Sequence, residues 1–164
     1  MTVSEVAPNA DLHPLLVGAQ FMDAYRIEIE GTVLAAREAA VAMFARSPRW
    51  IEALLALRNI MVAPFGLKTS GQESDQDEPT SRTMIGLFPV VCETPERLVA
   101  GFNDRHLDFR VIVEVKATVS GQQVTLTTLV LTHNRLGRVY LSTIMPFHRL
   151  IARTLLRQAA QAGG

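Results

Sequence analysis

"HLDFRVIVEVKATVSGQQVTLTTLVLTH", His106 to His133, is the stretch whose reading decides the fold. Two runs alternate between apolar and polar residues with a period of two, the signature of half-buried strands, and "VSGQ" between them reads as a tight turn. A turn centred on Ser120 and Gly121 sets Phe109 opposite Thr132 and Val113 opposite Thr128. Register then assigns faces. Leu107, Phe109, Val111, Val113 and Val115 join Leu126, Thr128, Val130 and Thr132 on a buried side. Asp108, Arg110, Ile112, Glu114 and Lys116 join His133, Leu131 and Leu129 on the other, with Asp108 directly facing His133.

Strand signals continue upstream of this hairpin. "RLVAGFN" and "MIGLFPVVCE" flank "TPE", where Pro95 suits a turn, so an antiparallel meander is expected. "AYRIEIEG" alternates Tyr25, Ile27 and Ile29 against charged residues and supplies one more strand, giving about five. Between these lie two helices. "TVLAAREAAVAMFAR" is Ala-rich with apolar recurrence at three and four residues. "SPRW" then offers Ser47 as a cap and Pro48 at a first helical position, ahead of a stripe of Trp50, Leu54, Leu57 and Met61 that ends before Pro64. "TSGQESDQDEPTSR" has no apolar anchor and reads as a solvated loop.

After His133 the alternation fails. Leu136, Tyr140, Phe147, Ile151 and Leu155 fall near one helical face, which predicts a long helix from Leu136 to Ala160, kinked at Pro146. A competing reading makes "RVYLSTI" a sixth strand, with the helix beginning at Pro146. Residues 1–22, with Pro8 and Pro14, read as an N-terminal arm, and 23–161 as a single domain.

Composition bounds the function classes. In a chain of 164 residues, Lys+Arg and Asp+Glu cancel at 16 each, so nothing suggests nucleic acid. The one cysteine, Cys92, allows no internal disulfide. "MTVSEVAPNADLHPLL" lacks the basic and apolar regions of a signal peptide, and no apolar run approaches a membrane span. A soluble, cytoplasmic protein is the expectation.

The order strand, two helices, meander, long C-terminal helix resembles the START-like (SRPBCC) superfamily, also described as polyketide-cyclase-like or birch-pollen-allergen-like. The phrases "LALRNIMVAPFGLK", "IGLFPV", "GFNDRHLDFRV", "THNRLGRVYL" and "IMPFHRLI" look like those of an uncharacterised bacterial domain-of-unknown-function family within it. The resemblance implies an α+β helix-grip fold, a sheet wrapped around the last helix, and a hydrophobic cavity between them. It implies no particular reaction.

The expected function is accordingly the binding of a small apolar molecule, without catalysis and without a cofactor. Phe88, Phe102, Phe109, Val111, Val113, Leu126 and Val130 would line the sheet side. Ile144 and Phe147 would line the helix side, and Thr128, Thr132, Tyr140 and His148 would serve as polar handles. The alternatives are a cyclase-like or dehydratase-like enzyme using His133, His148 and Asp108, and a structural interaction domain without a pocket. Asp108 and His133 read more simply as a solvated cross-strand pair. His106, His133 and His148 lack the compact spacing of a zinc site. Arg138, Arg149, Arg153 and Arg157 give the last helix a basic side that reads as solvated, with contact to an anionic membrane surface as the sharper alternative. Ile112, Leu129 and Leu131 form an aliphatic patch that needs a cover, from a second copy of the chain or from residues 1–22.

Overall fold

A computed structural model describes residues 2–31, 33–45, 83–86 and 88–163. The helix expected from Ser47 to Met61 and the acidic loop at 69–82 lie outside the described residues. Those described form a seven-stranded antiparallel sheet: β1 (Ser4–Val6), β2 (Phe21–Glu30), β3 (Met84–Ile85), β4 (Phe88–Glu93), β5 (Arg97–Asn103), β6 (Leu107–Ala117) and β7 (Gly121–Thr132). Their order across the sheet is β1-β2-β7-β6-β5-β4-β3. Helices α1 (Ala36–Phe44) and α2 (Arg135–Gly163) share one face.

The expected α+β architecture with its long C-terminal helix is present, but the sheet has seven strands rather than about five. Both additions are edge strands of two or three residues, too short for periodicity to reveal. Ser4–Val6 pairs with Arg26–Ala24, so the N-terminal segment is part of the sheet. "MIGLFPVVCE" is not one strand. It folds back at Gly86, where φ is +58°, and pairs Ile85 with Phe88. Glycine is favoured there twice over, by that backbone region and because a Cβ would sit 3.2 Å from Cβ of Phe44.

The central hairpin carries an informative register difference. Thr118 donates to the Gly121 carbonyl and Leu107 pairs with Thr132, so Val119 and Ser120 make the turn. Partners are therefore displaced by two residues from the expectation: Phe109 opposes Val130 and Val113 opposes Leu126. A shift of two keeps every side chain on its assigned face. Gly121 belongs to β7 because β2 passes against it, and a Cβ would run into the Ile29 carbonyl oxygen. It is a close-approach glycine, not a turn glycine.

The inner core joins Tyr25, Ile27 and Ile29 of β2 to Val111, Val113, Val124 and Leu126. Ala39, Ala40 and Met43 of α1 and Ala152, Leu155, Leu156 and Ala159 of α2 cover them. Helix α1 starts at Ala36, three residues after Val33, the first apolar position of its stretch. Gln122, buried in β7, binds both the amide and the carbonyl of Leu34, and Glu38 reaches back to the Ala35 amide. These bonds hold the chain extended until Ala36. Helix α2 begins where Asn134 accepts from the Gly137 amide, and it runs through Pro146, so "RVYLSTI" is helical.

The outer face has a smaller core of Leu12, Leu16, Val99, Ile112 and Leu129, with Leu131 packed beside it. Leu12 and Leu16 come from a 3-10 segment, Ala10–Leu16. Ile112 and Leu129 are fully buried beneath them, which is the intrachain cover weighed against a second copy.

Candidate functional site

Antiparallel pairing lays the inner face out in rows that run across the strands. One row is Phe21, Val130, Phe109 and Phe102; the next is Asp23, Thr128, Val111, Ala100 and Val90; the third is Tyr25, Leu126, Val113 and Leu98. The rows are apolar except at the β2 end. Asp23 and Thr128 interrupt them there, side by side in the register.

At the opposite end the rings form a cluster. Phe88 lies 5.2 Å from Phe109 and 6.1 Å from Phe102 between centroids, and Phe44 of α1 meets Phe88 edge-on at 5.8 Å. All four are only half-buried. A core ring would ordinarily be covered, so this aromatic wall is unusual.

The two halves of α2 differ in burial. From Ala152 onward the helix supplies six buried residues, of which Ala152, Leu155, Leu156, Ala159 and Ala160 join the core and seal one end of the face. Between Arg138 and Ile151 no residue is buried. Tyr140, Ile144 and His148 are half-buried there, whereas Phe147 is 47% exposed. Phe147 is thus turned away from the sheet, against its assigned place in the lining. The hydroxyls of Ser142 and Thr143 bond to carbonyls one turn back, just ahead of Pro146, and both features bend helices.

His148 is the polar centre of this half. Its Nε2 lies 3.0 Å from Oδ1 and 2.8 Å from Oδ2 of Asp23, and the side chains retain only 13% and 11% exposure. The carboxylate therefore holds the proton on Nε2. Nδ1 makes no hydrogen bond among the described residues. Phe21 packs edge-on to the imidazole at 5.6 Å and Tyr25 at 6.4 Å. Burial pushes the Tyr25 phenol above its ordinary pKa of 10, with the charges of Asp23 and Glu5 adding to the rise and Arg149 opposing it.

The remaining candidates resolve individually. Phe88, Phe102, Phe109, Val111, Leu126, Thr128 and Val130 share the inner face. Val113 is wholly buried in the core, beneath any exposed surface. The Thr132 hydroxyl is committed, since it lies 2.5 Å from Oε1 of Gln20, which also accepts from the Thr132 amide. His133 does reach Asp108, at 3.0 Å, although Leu131 is the direct partner of Asp108. That pair sits on the outer face. The Asp108 carboxylate also accepts from the Asp104 amide, and Arg110 is spent on the Phe102 and Phe109 carbonyls and on Asn103. His106 binds Asn134, so the three histidines weighed as metal ligands have three separate partners. Among the described residues no helix is long and apolar enough to cross a membrane.

Sequence reasoning misses Asp23, Tyr25 and Gln20. The signal for Asp23 is present, because "FMDAYRIEIE" read in steps of two gives Phe21, Asp23, Tyr25, Ile27 and Ile29, a buried face carrying one charge. Starting the strand at Ala24 hides it.

The model of a family of proteins of unknown function, DUF2867, matches residues 15–155. The chain belongs to the DUF2867 family. The matched span of this DUF2867 protein includes Asp23, Tyr25, Thr128, His148 and the whole aromatic wall. A crystal structure of a conserved protein from Geobacillus kaustophilus aligns with 11% identity and a TM-score of 0.40, covering 86% of this chain and 93% of the other. No curated protein matches the sequence.

Proposed function

We propose that this DUF2867 protein binds a small, mainly apolar molecule between the inner sheet face and the N-terminal half of α2, as helix-grip proteins of the START-like superfamily do. The observation that carries the reading is the contrast within α2. Its C-terminal half is buried against the sheet and α1, its N-terminal half has no buried residue beyond Gly137, and four phenylalanine rings at the far end of the same face stay half-covered. Apolar surface left partly open beside a few fixed polar groups is the usual composition of a ligand site. Three gaps between neighbouring strands separate Asp23 from the β5 end of its row, about 14 Å at ~4.8 Å each, the length of a medium acyl chain.

The test is thermal denaturation with aliphatic and aromatic probes. A ligand that binds only the folded chain raises Tm with the logarithm of its concentration above Kd. Ile144→Trp, which places a larger ring between helix and wall, should remove that rise without unfolding the protein. Unchanged Tm across the panel would defeat the proposal.

A second reading is acid–base chemistry at the same place. Asp23 orients His148 and leaves Nδ1 without a protein partner among the described residues, the arrangement a general base requires. It replaces the Asp108–His133 pairing considered from sequence. Turnover of a bound carbonyl compound that is lost in His148→Gln, with binding retained, would establish it.

A further inference from the structure

We propose that the polar head of the bound molecule is uncharged, a hydroxyl or carbonyl group received by Thr128 and His148 at the β2 end of the rows. This inference rests on the binding site proposed above and specifies its ligand class.

The argument begins with charge. Asp23 and His148 lie within 3.0 Å of each other and are almost wholly buried, so the carboxylate and the imidazole are committed to each other. An imidazole committed to that carboxylate offers no free positive charge to compensate an anionic head. A carboxylate or phosphate brought beside Thr128 would lose its water next to Asp23, its cross-strand neighbour, and like charges at such separations repel strongly once desolvated. Two further charges face this region, Glu5 and Arg149, of opposite sign and both exposed, so solvent screens them. An ammonium head is disfavoured as well, because the Asp23 charge is already engaged by His148.

The hydrogen-bonding inventory points the same way. Neither the Thr128 hydroxyl nor Nδ1 of His148 makes a hydrogen bond among the described residues, and neither is among the fully enclosed unpartnered atoms, so both can be reached from the site. A hydroxyl both donates and accepts, as does the threonine, while Nδ1 accepts when the ring is neutral and donates when it is protonated. A neutral oxygen head satisfies this set in either state of the histidine. The nearby Thr132 hydroxyl is unsuited to the role because Gln20 holds it.

Decanol, decanoate and decane titrated into the full-length protein at pH 8 by calorimetry decide the matter, since they share one chain and differ in the head. Decanol should bind at least ten-fold more tightly than decanoate, and more tightly than decane. Thr128→Val should bring decanol down to the affinity of decane. Asp23→Asn, which removes the buried negative charge, should narrow or reverse the preference over decanoate. Decanoate binding as well as decanol, or decane binding as well as decanol, would overturn the neutral-head inference while leaving the apolar site standing. Binding by none of the three would overturn both. If Asp23→Asn does not fold, the wild-type series and Thr128→Val still support or overturn the inference.

Discussion

The two Asp–His pairs of this protein lie on opposite faces of one sheet, with similar contact distances and different surroundings. Asp108 and His133 meet at 3.0 Å, but the imidazole is 38% exposed and the carboxylate also closes the β5–β6 turn through the Asp104 amide. Asp23 and His148 meet at 2.8 Å from different elements, a strand and a helix 125 residues apart, with both side chains nearly buried among Phe21 and Tyr25. Water reaches the His133 side of the first pair, which lowers the worth of the contact. The second must satisfy itself, so removing either partner leaves a nearly buried polar group unpaired. Of the two imidazoles, only that of the second pair is held with water largely excluded, at 13% against 38% exposure.

The largest effect follows from that contrast. Asp23→Ala should cost about 3 kcal/mol in urea denaturation, since it leaves a buried imidazole without its acceptor and detaches α2 from β2. A loss below about 1 kcal/mol would make the two pairs equivalent and remove the basis for a special inner site. Next in size is Leu12→Ala on the outer face. Leu12 is wholly buried over Val99, Ile112 and Leu129, and its truncation should cost at least about 2 kcal/mol. Sedimentation of the same variant sharpens the comparison of faces. Ile112 and Leu129 covered only by their own chain should leave the wild type monomeric, with self-association appearing once the cover is damaged; a dimeric wild type would show that the chain's own cover does not suffice.

Third comes Asp108→Asn, which should change stability by less than about 1 kcal/mol because the surrounding water substitutes for the lost interaction. A larger loss would mean that the turn contact to the Asp104 amide matters more than the ion pair, which His133→Gln can separate.

What the sequence discloses follows from which signals are local. Period-two alternation places β5, β6 and β7 to within a residue or two, and the faces of Phe109, Val111 and Thr128 survive a register displaced by two, because parity is insensitive to an even shift. The hairpin centre is misread because Gly121 carries the local mark of a turn, whereas its actual constraint is the approach of β2 from far upstream in the chain. Strands of two and three residues have no periodicity to read. The site is legible in its aromatic half and not in its polar half: His148 stands out on the helix, but nothing local pairs it with Asp23, and Thr132 reads as a handle because no local signal shows that Gln20 holds it. Helical phase assigns Phe147 inward, yet this half of α2 stands less deeply on the sheet and leaves it 47% exposed.

The smallest effect shows only at alkaline pH and tests the inner site alone. Tyr25 has its pKa raised in the folded chain, first by burial and then by the Asp23 charge. A raised folded value means that folding favours the neutral phenol, so this contribution is fully present below the unfolded pKa near 10 and is lost as pH rises through the folded one. The chain has two tyrosines, so in Tyr140→Phe the phenolate absorbance should show one transition, later than that of an unfolded control. Alkaline unfolding should also be delayed in Tyr25→Phe. Introducing Asp23→Asn into the Tyr140→Phe background then separates the causes. Because burial is the larger one, the transition should move back toward the control without reaching it. A complete return would mean that the Asp23 charge alone sets the environment of Tyr25, and the β2 end of the inner face would then be far wetter than its packing around His148 implies.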